Sequence, residues 1–84
     1  MKVWVYSPQG ILHEGEATRI AGVSVEGSFE ILEKHAPFIA QLVEAPLVIE
    51  GAQGKRTFQL VGGFLWVSPT NETRVLALTP SNAK

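Results

Sequence analysis

Eighty-four residues make room for one hydrophobic core and no second domain, and a 45% hydrophobic fraction is ordinary for a folded chain and too high for a disordered one. There is no cysteine, which excludes disulfides, thiolate nucleophiles and cysteine-based zinc sites and fits a reducing compartment. The formal charge is −1, and Lys and Arg stand singly apart from Lys55-Arg56, so no basic stripe exists to track a nucleic-acid backbone.

Along the chain, apolar residues recur with period two, among plentiful β-branched and aromatic types, as a half-buried pleated surface requires. The opening MKVWVYSP reads as a strand over 2–7; Pro8 and Gln9 interrupt it too early for a signal-peptide core. Strands are next expected over 11–21, with a break at Gly15, then over 23–25 and 29–32. APFIAQLVEA is short and flanked by prolines, and reads as a strand over 38–43 rather than a helix. Further strands are expected over 47–50, 56–61, 64–68 and 73–78. In RTFQLV, Phe58 and Leu60 share one face and Thr57 and Gln59 the other. Turn formers separate these runs: SPQG, EGS, EAP, GAQGK, GG and SPTNE. Many short strands with frequent turns predict an all-β sandwich or barrel, with one domain over 1–79 and a short tail over 80–84. No apolar run approaches the roughly 18–20 residues that span a bilayer, so the chain reads as soluble and intracellular.

Trp4 sits between Val3 and Val5, and Trp66 between Leu65 and Val67. Either these strands are covered on both faces, or the indoles lie outside, where aromatics are enriched at partner surfaces.

Chemistry is sparse. The two histidines, His13 and His35, are far apart, HEGEA lacks the second histidine of a zinc-binding helix, and His13 reads as solvated. GAQGKRT lacks the spacing and the Ser or Thr of a phosphate loop and reads as a hairpin turn, and VGGF as a bulge or close backbone approach. No catalytic, metal-binding or cofactor-binding residue is expected, and Glu14, Glu16, Glu26, Glu30, Glu33, Glu44 and Glu50 read as solvated charges.

GSFEILEKHAPFIAQL resembles the hallmark of the epsilon subunit of bacterial F-type ATP synthases, in which a Glu-Gly-polar turn leads into an apolar strand and then His-Ala-Pro. VYSPQGILHEGEATRI, FQLVGGFLWVS and TRVLAL agree in order and spacing, so the resemblance covers Lys2 to Leu78. It implies the family's N-terminal domain, a flattened β-sandwich of about ten strands in two sheets. It also implies a non-catalytic rotor subunit of the central stalk, joining the gamma subunit to the c-ring of a proton- or sodium-translocating synthase. Such a subunit lies on the cytoplasmic side of the bacterial membrane, meets the membrane only through the ring, and needs no cofactor, nucleic acid or small-molecule substrate.

Carried over position by position, the resemblance gives ring contact to Glu26, Gly27, Ser28, Glu33, Lys34 and His35. It gives gamma contact to Ser7, His35, Ala40 and Val61. The strand over 29–32 is then expected to anchor in the core so that loops 26–28 and 33–35 project together. Ser28 stands where relatives often carry a second acidic residue, Glu30 replaces a common Gly, and Glu33-Lys34 replaces a common Pro-Gly, so the second loop is expected to be more charged and to turn differently. The sequence stops at TPSNAK, and the resemblance is to the short form that lacks the inhibitory C-terminal helices. The competing expectation is a stand-alone sandwich that binds another protein outside the synthase.

Overall fold

A computed structural model describes residues 1–79 and contains nine strands and no helix among them. They are β1 (Lys2–Ser7), β2 (Gly10–Glu16), β3 (Arg19–Ser24), β4 (Gly27–Leu32), β5 (Phe38–Leu42), β6 (Ala45–Gly51), β7 (Gly54–Leu60), β8 (Gly62–Val67) and β9 (Glu72–Leu78). Hydrogen bonding runs without interruption in the order β2-β1-β9-β8-β5-β3-β6-β7, with β4 on the other edge of β3.

One joint in this network is weak. Strands β5 and β3 share only the pair Ser24 and Leu42, whereas Arg19 to Ala21 of β3 pair with Val48 to Glu50 of β6. The chain bends between β5 and β6, and the sheet folds over there into two layers, β2-β1-β9-β8-β5 and β4-β3-β6-β7. The thin dimension, 19 Å against 37 and 28 Å, is that of two stacked sheets about 10 Å apart.

Alternation in the sequence supplies the core between them. Val3, Val5, Leu65, Val67, Val75 and Ala77 from one layer meet Ile20, Ile31, Leu47 and Ile49 from the other in a single buried cluster. Ile20, Ile31, Leu47 and Leu65 are at most 1% exposed, and each such side chain stabilises the fold by roughly 1.5–3 kcal/mol.

Two expectations change. The break in the second strand falls at Ala17-Thr18 rather than at Gly15, which stays paired with Val3. There the chain changes layers: Ala17 N–H donates to Met1 O at 2.8 Å, and Thr18 N–H donates to Glu50 O at 2.8 Å. Val23 and Ser24 belong to β3, and the chain turns at Val25, so no separate strand spans 23–25. The expected tail over 80–84 lies outside the described residues. The segment that could have passed for a helix is strand β5, paired with β8 from Phe38 to Leu42.

The close approach expected at VGGF is found. A Cβ on Gly63 would lie 2.0 Å from the carbonyl oxygen of Leu76, and its φ of +137° suits glycine alone.

Candidate functional site

His13 is not a solvated side chain. The pairing of β1 with β2 shifts between Val5 and Tyr6, so Leu12 is an extra residue and His13 lies opposite Val5, whose side chain faces the core. The imidazole therefore points between the layers, edge-on to Phe58 with centroids 6.1 Å apart. Arg56 donates to its Nδ1 at 3.3 Å and covers the Phe58 ring at 4.9 Å. The Nε2 atom is shielded and has no partner. Burial, and then the adjacent guanidinium, hold the His13 pKa below its ordinary value of 6.5.

A cleft of about 420 Å³ adjoins this cluster, and Glu14, Glu16 and Lys55 line it beside His13 and Arg56. Among the described residues no three groups are placed to hold a metal ion. The cluster closes the open edge of the sandwich between β2 and β7. Because the unfolded chain binds this proton more readily, stability should fall as pH drops below about 6.5 and level off beneath the lowered folded value. Urea midpoints at pH 7.5 and 5.5 are expected to separate in the native chain and to converge in His13→Phe.

The outer face of the layer β2-β1-β9-β8-β5 is unusually apolar. Paired residues share a face, so one row reads Glu14, Trp4, Arg74, Trp66, Ile39 across the five strands. The next reads Ile11, Tyr6, Leu76, Phe64, Gln41. Both tryptophans are thus on the outside, half-buried, and the Arg74 guanidinium lies 4.5 Å over the Trp4 ring. Ile39 is 79% exposed, Ile11 59% and Phe64 48%. At one end of this face, Pro37, Phe38, Ile39, Trp66 and Pro69 line an apolar groove. The outer face of the other layer is built differently, with Arg19 paired to Glu30 and to Glu50, the latter at 3.0 Å.

The two expected tips do not project together. Glu26, Gly27 and Ser28 form the exposed β3–β4 turn, where Ser24 Oγ accepts from Glu26 N–H at 3.1 Å and donates to Gly27 O at 3.1 Å. Glu33, Lys34 and His35 follow the other end of β4. Six extended residues separate the two tips by about 17 Å at roughly 3.3 Å per residue.

The 33–35 loop takes the turn for which a Pro-Gly is suited despite carrying Glu-Lys, because Lys34 adopts φ 65°. His35 N–H donates to Leu32 O at 3.2 Å, and His35 Nδ1 donates to Ala36 O at 2.7 Å while its ring packs edge-on to Phe38. Ser7 is buried at the end of β1, and Ala40 faces the core at 6% exposure, so the outward positions on β5 are Ile39 and Gln41. Val61 is exposed, beside the end of β9, where its N–H donates to Leu78 O at 2.7 Å. Sequence reading did not single out Ile11, Ile39, Phe64 and Leu76. Their signal was apolar residues at the outward phase of strands whose inward phase was already apolar.

The model of the ATP synthase delta/epsilon chain β-sandwich domain matches residues 1–82. The ATP synthase epsilon chain of Caulobacter vibrioides is 31% identical over 67 residues, which cover 80% of this chain and 78% of the relative. That of Exiguobacterium sp. is 36% identical over 80 residues, covering 94% and 58%, and that of Thermotoga maritima 35% over 65 residues, covering 77% and 60%. The chain thus spans about 60% of the length of the Thermotoga relatives. Its fold also superimposes on a chain in the central stalk and c-ring structure of the Tetrahymena thermophila mitochondrial ATP synthase, with TM-score 0.81 and 21% identity, covering 93% of this chain and 63% of that one. A chain in the Euglena gracilis mitochondrial ATP synthase gives TM-score 0.82 at 20% identity, covering 90% and 49%.

Proposed function

The chain belongs to the ATP synthase delta/epsilon chain β-sandwich family, and on that premise we propose that it is a non-catalytic part of the synthase rotor, joining the gamma subunit to the c-ring. The observation that carries this reading is the asymmetry of the sandwich. One layer turns Trp4, Trp66, Ile39, Phe64 and Leu76 outward, whereas the other carries the Arg19 ion pairs. A contiguous apolar face of this kind is a mark of protein association.

A flat sandwich that meets two partners needs two separated surfaces. Because the tips lie at opposite ends of β4, we assign ring contact to Glu26, Gly27 and Ser28. Gamma contact goes to the outer apolar face together with the 33–35 loop, which borders the groove through Pro37 to Ile39. Rigid anchoring supports the tip: Ile31 is fully buried and Phe29 packs on the core, so the turn loses less entropy on docking. Among the described residues no helix is long and apolar enough to cross a membrane, and attachment to the cytoplasmic face of the membrane is then indirect, through the ring.

Gel filtration and calorimetry of the chain mixed with its host's gamma subunit test the reading. A stable complex with shifted tryptophan emission is expected, and a soluble pair that does not associate overturns it. In the assembled synthase, Glu26→Lys should lower coupled ATP synthesis while leaving gamma binding intact, since the substitution lies at the ring-facing tip.

A further inference from the structure

We propose that Asn71 is a positioning residue of the docking surface: its side-chain oxygen fixes the 33–35 loop at the end of the apolar groove, beyond the β5–β8 pairing that already joins the two walls. The inference rests on the gamma-docking reading and adds to it a residue that acts through the 33–35 loop.

Asn71 closes the β8–β9 turn, where its own N–H donates to Ser68 O at 3.0 Å. Its Oδ1 accepts from the Lys34 N–H at 3.0 Å, a bond between residues 37 apart in sequence. The two walls of the groove are the segments next to this bond. Pro37, Phe38 and Ile39 follow the 33–35 loop, and Trp66, Ser68 and Pro69 precede Asn71.

Lys34 needs such a bond. Its φ of 65° is left-handed, a conformation costly to a residue with a Cβ and kept only where the surroundings impose it. Lys34 is exposed, so packing does not impose it. The hydrogen bond from His35 N–H to Leu32 O closes the loop on its own stem. The Asn71 bond instead ties the loop to the opposite wall. Asn71 is itself left-handed at φ 64°, which Asn tolerates better than most residues, so one side chain serves both the turn and the loop.

Asn71→Gly tests this cleanly, since glycine keeps the left-handed turn and removes the acceptor. Asn71→Asp keeps an acceptor oxygen, and Asn71→Ser serves as a second truncation should the glycine variant not fold. In the free chain, ¹⁵N relaxation of the Lys34 amide is expected to report a looser loop in Asn71→Gly and a native one in Asn71→Asp. Affinity for the purified gamma subunit is expected to fall about fivefold to tenfold in Asn71→Gly, the scale of one hydrogen bond, with Asn71→Asp near the native value.

A Lys34 amide as rigid in Asn71→Gly as in the native chain overturns the proposal. So does a loosened loop with unchanged affinity. A native chain with no affinity for gamma overturns the docking reading and the docking role of Asn71 with it, while the relaxation measurement still decides whether Asn71 fixes the loop.

Discussion

Gly63→Ala is expected to abolish cooperative folding. The added methyl carbon would lie 2.0 Å from Leu76 O, 3.1 Å from Leu76 C and 3.3 Å from Ala77 Cα, all backbone atoms that no rotamer change can move. Strand β8 cannot retreat from β9, because Gly63 is also paired with Leu42 on its other side. The residue would in addition have to hold φ +137°, outside the range that alanine occupies comfortably. A clash with backbone on this scale belongs among the rare substitutions that cost more than about 4 kcal/mol. A domain of this size has little in reserve, since small domains sit toward the low end of the usual range of roughly 5–15 kcal/mol.

Gly10→Ala is the matched control. Its φ is +133°, but nothing lies within 4 Å of the added carbon, so it carries the backbone strain without the collision. Circular dichroism melts should show a lowered but cooperative transition for Gly10→Ala and none for Gly63→Ala. A cooperative Gly63→Ala transition within a few degrees of the native midpoint would contradict the close approach.

The same glycine shows what a sequence makes legible. A Gly-Gly pair inside an alternating apolar run points to backbone contact, and β8 has that contact. Alternation likewise located most of the strands and, on β7, put Phe58 and Leu60 on the inward face and Thr57 and Gln59 on the outward one. What it missed depends on distant partners. The layer change at Ala17-Thr18 is made by hydrogen bonds to Met1 and Glu50, and neither residue is near in sequence. His13 shares the phase of Ile11 by strict alternation, yet the extra residue Leu12 turns the two to opposite faces, and only the pairing with β1 reveals that.

The docking surfaces divide in the same way. The family motif located both loops of the chain that border β4, but not their relation, which simple strand arithmetic decides: six extended residues cannot bring their two ends to one point. The flanking valines of Trp4 and leucine and valine of Trp66 were compatible with burial on either face. Their outward placement follows from the core, already filled by Val3, Val5, Leu65 and Val67. Ala40 was assigned to a surface by position in the motif, and its strand phase turns it inward, leaving Ile39 as the outward aliphatic side chain on β5.

That residue gives the sharpest test of the apolar face. Ile39→Asp is expected to weaken binding to the gamma subunit by about thirtyfold or more and to leave the fold intact. At 79% exposure Ile39 gives the isolated domain little burial, and exposed strand substitutions change stability by about 1 kcal/mol at most. In a complex, the same side chain would be buried under the partner as part of the groove lining beside Trp66, Pro37 and Pro69, and central contacts of that type are worth about 2 kcal/mol or more. The aspartate removes that contact and brings a carboxylate into an apolar site, where burial without a partner adds a further cost. Thr57→Asp, exposed on the outer face of the other layer, is the control, because it adds the same charge on β7, away from the groove. Calorimetry against gamma should separate the two variants by more than tenfold, with equal urea midpoints. Equal affinities would move the docking surface off this face, since both variants add one negative charge and only one of them alters the groove.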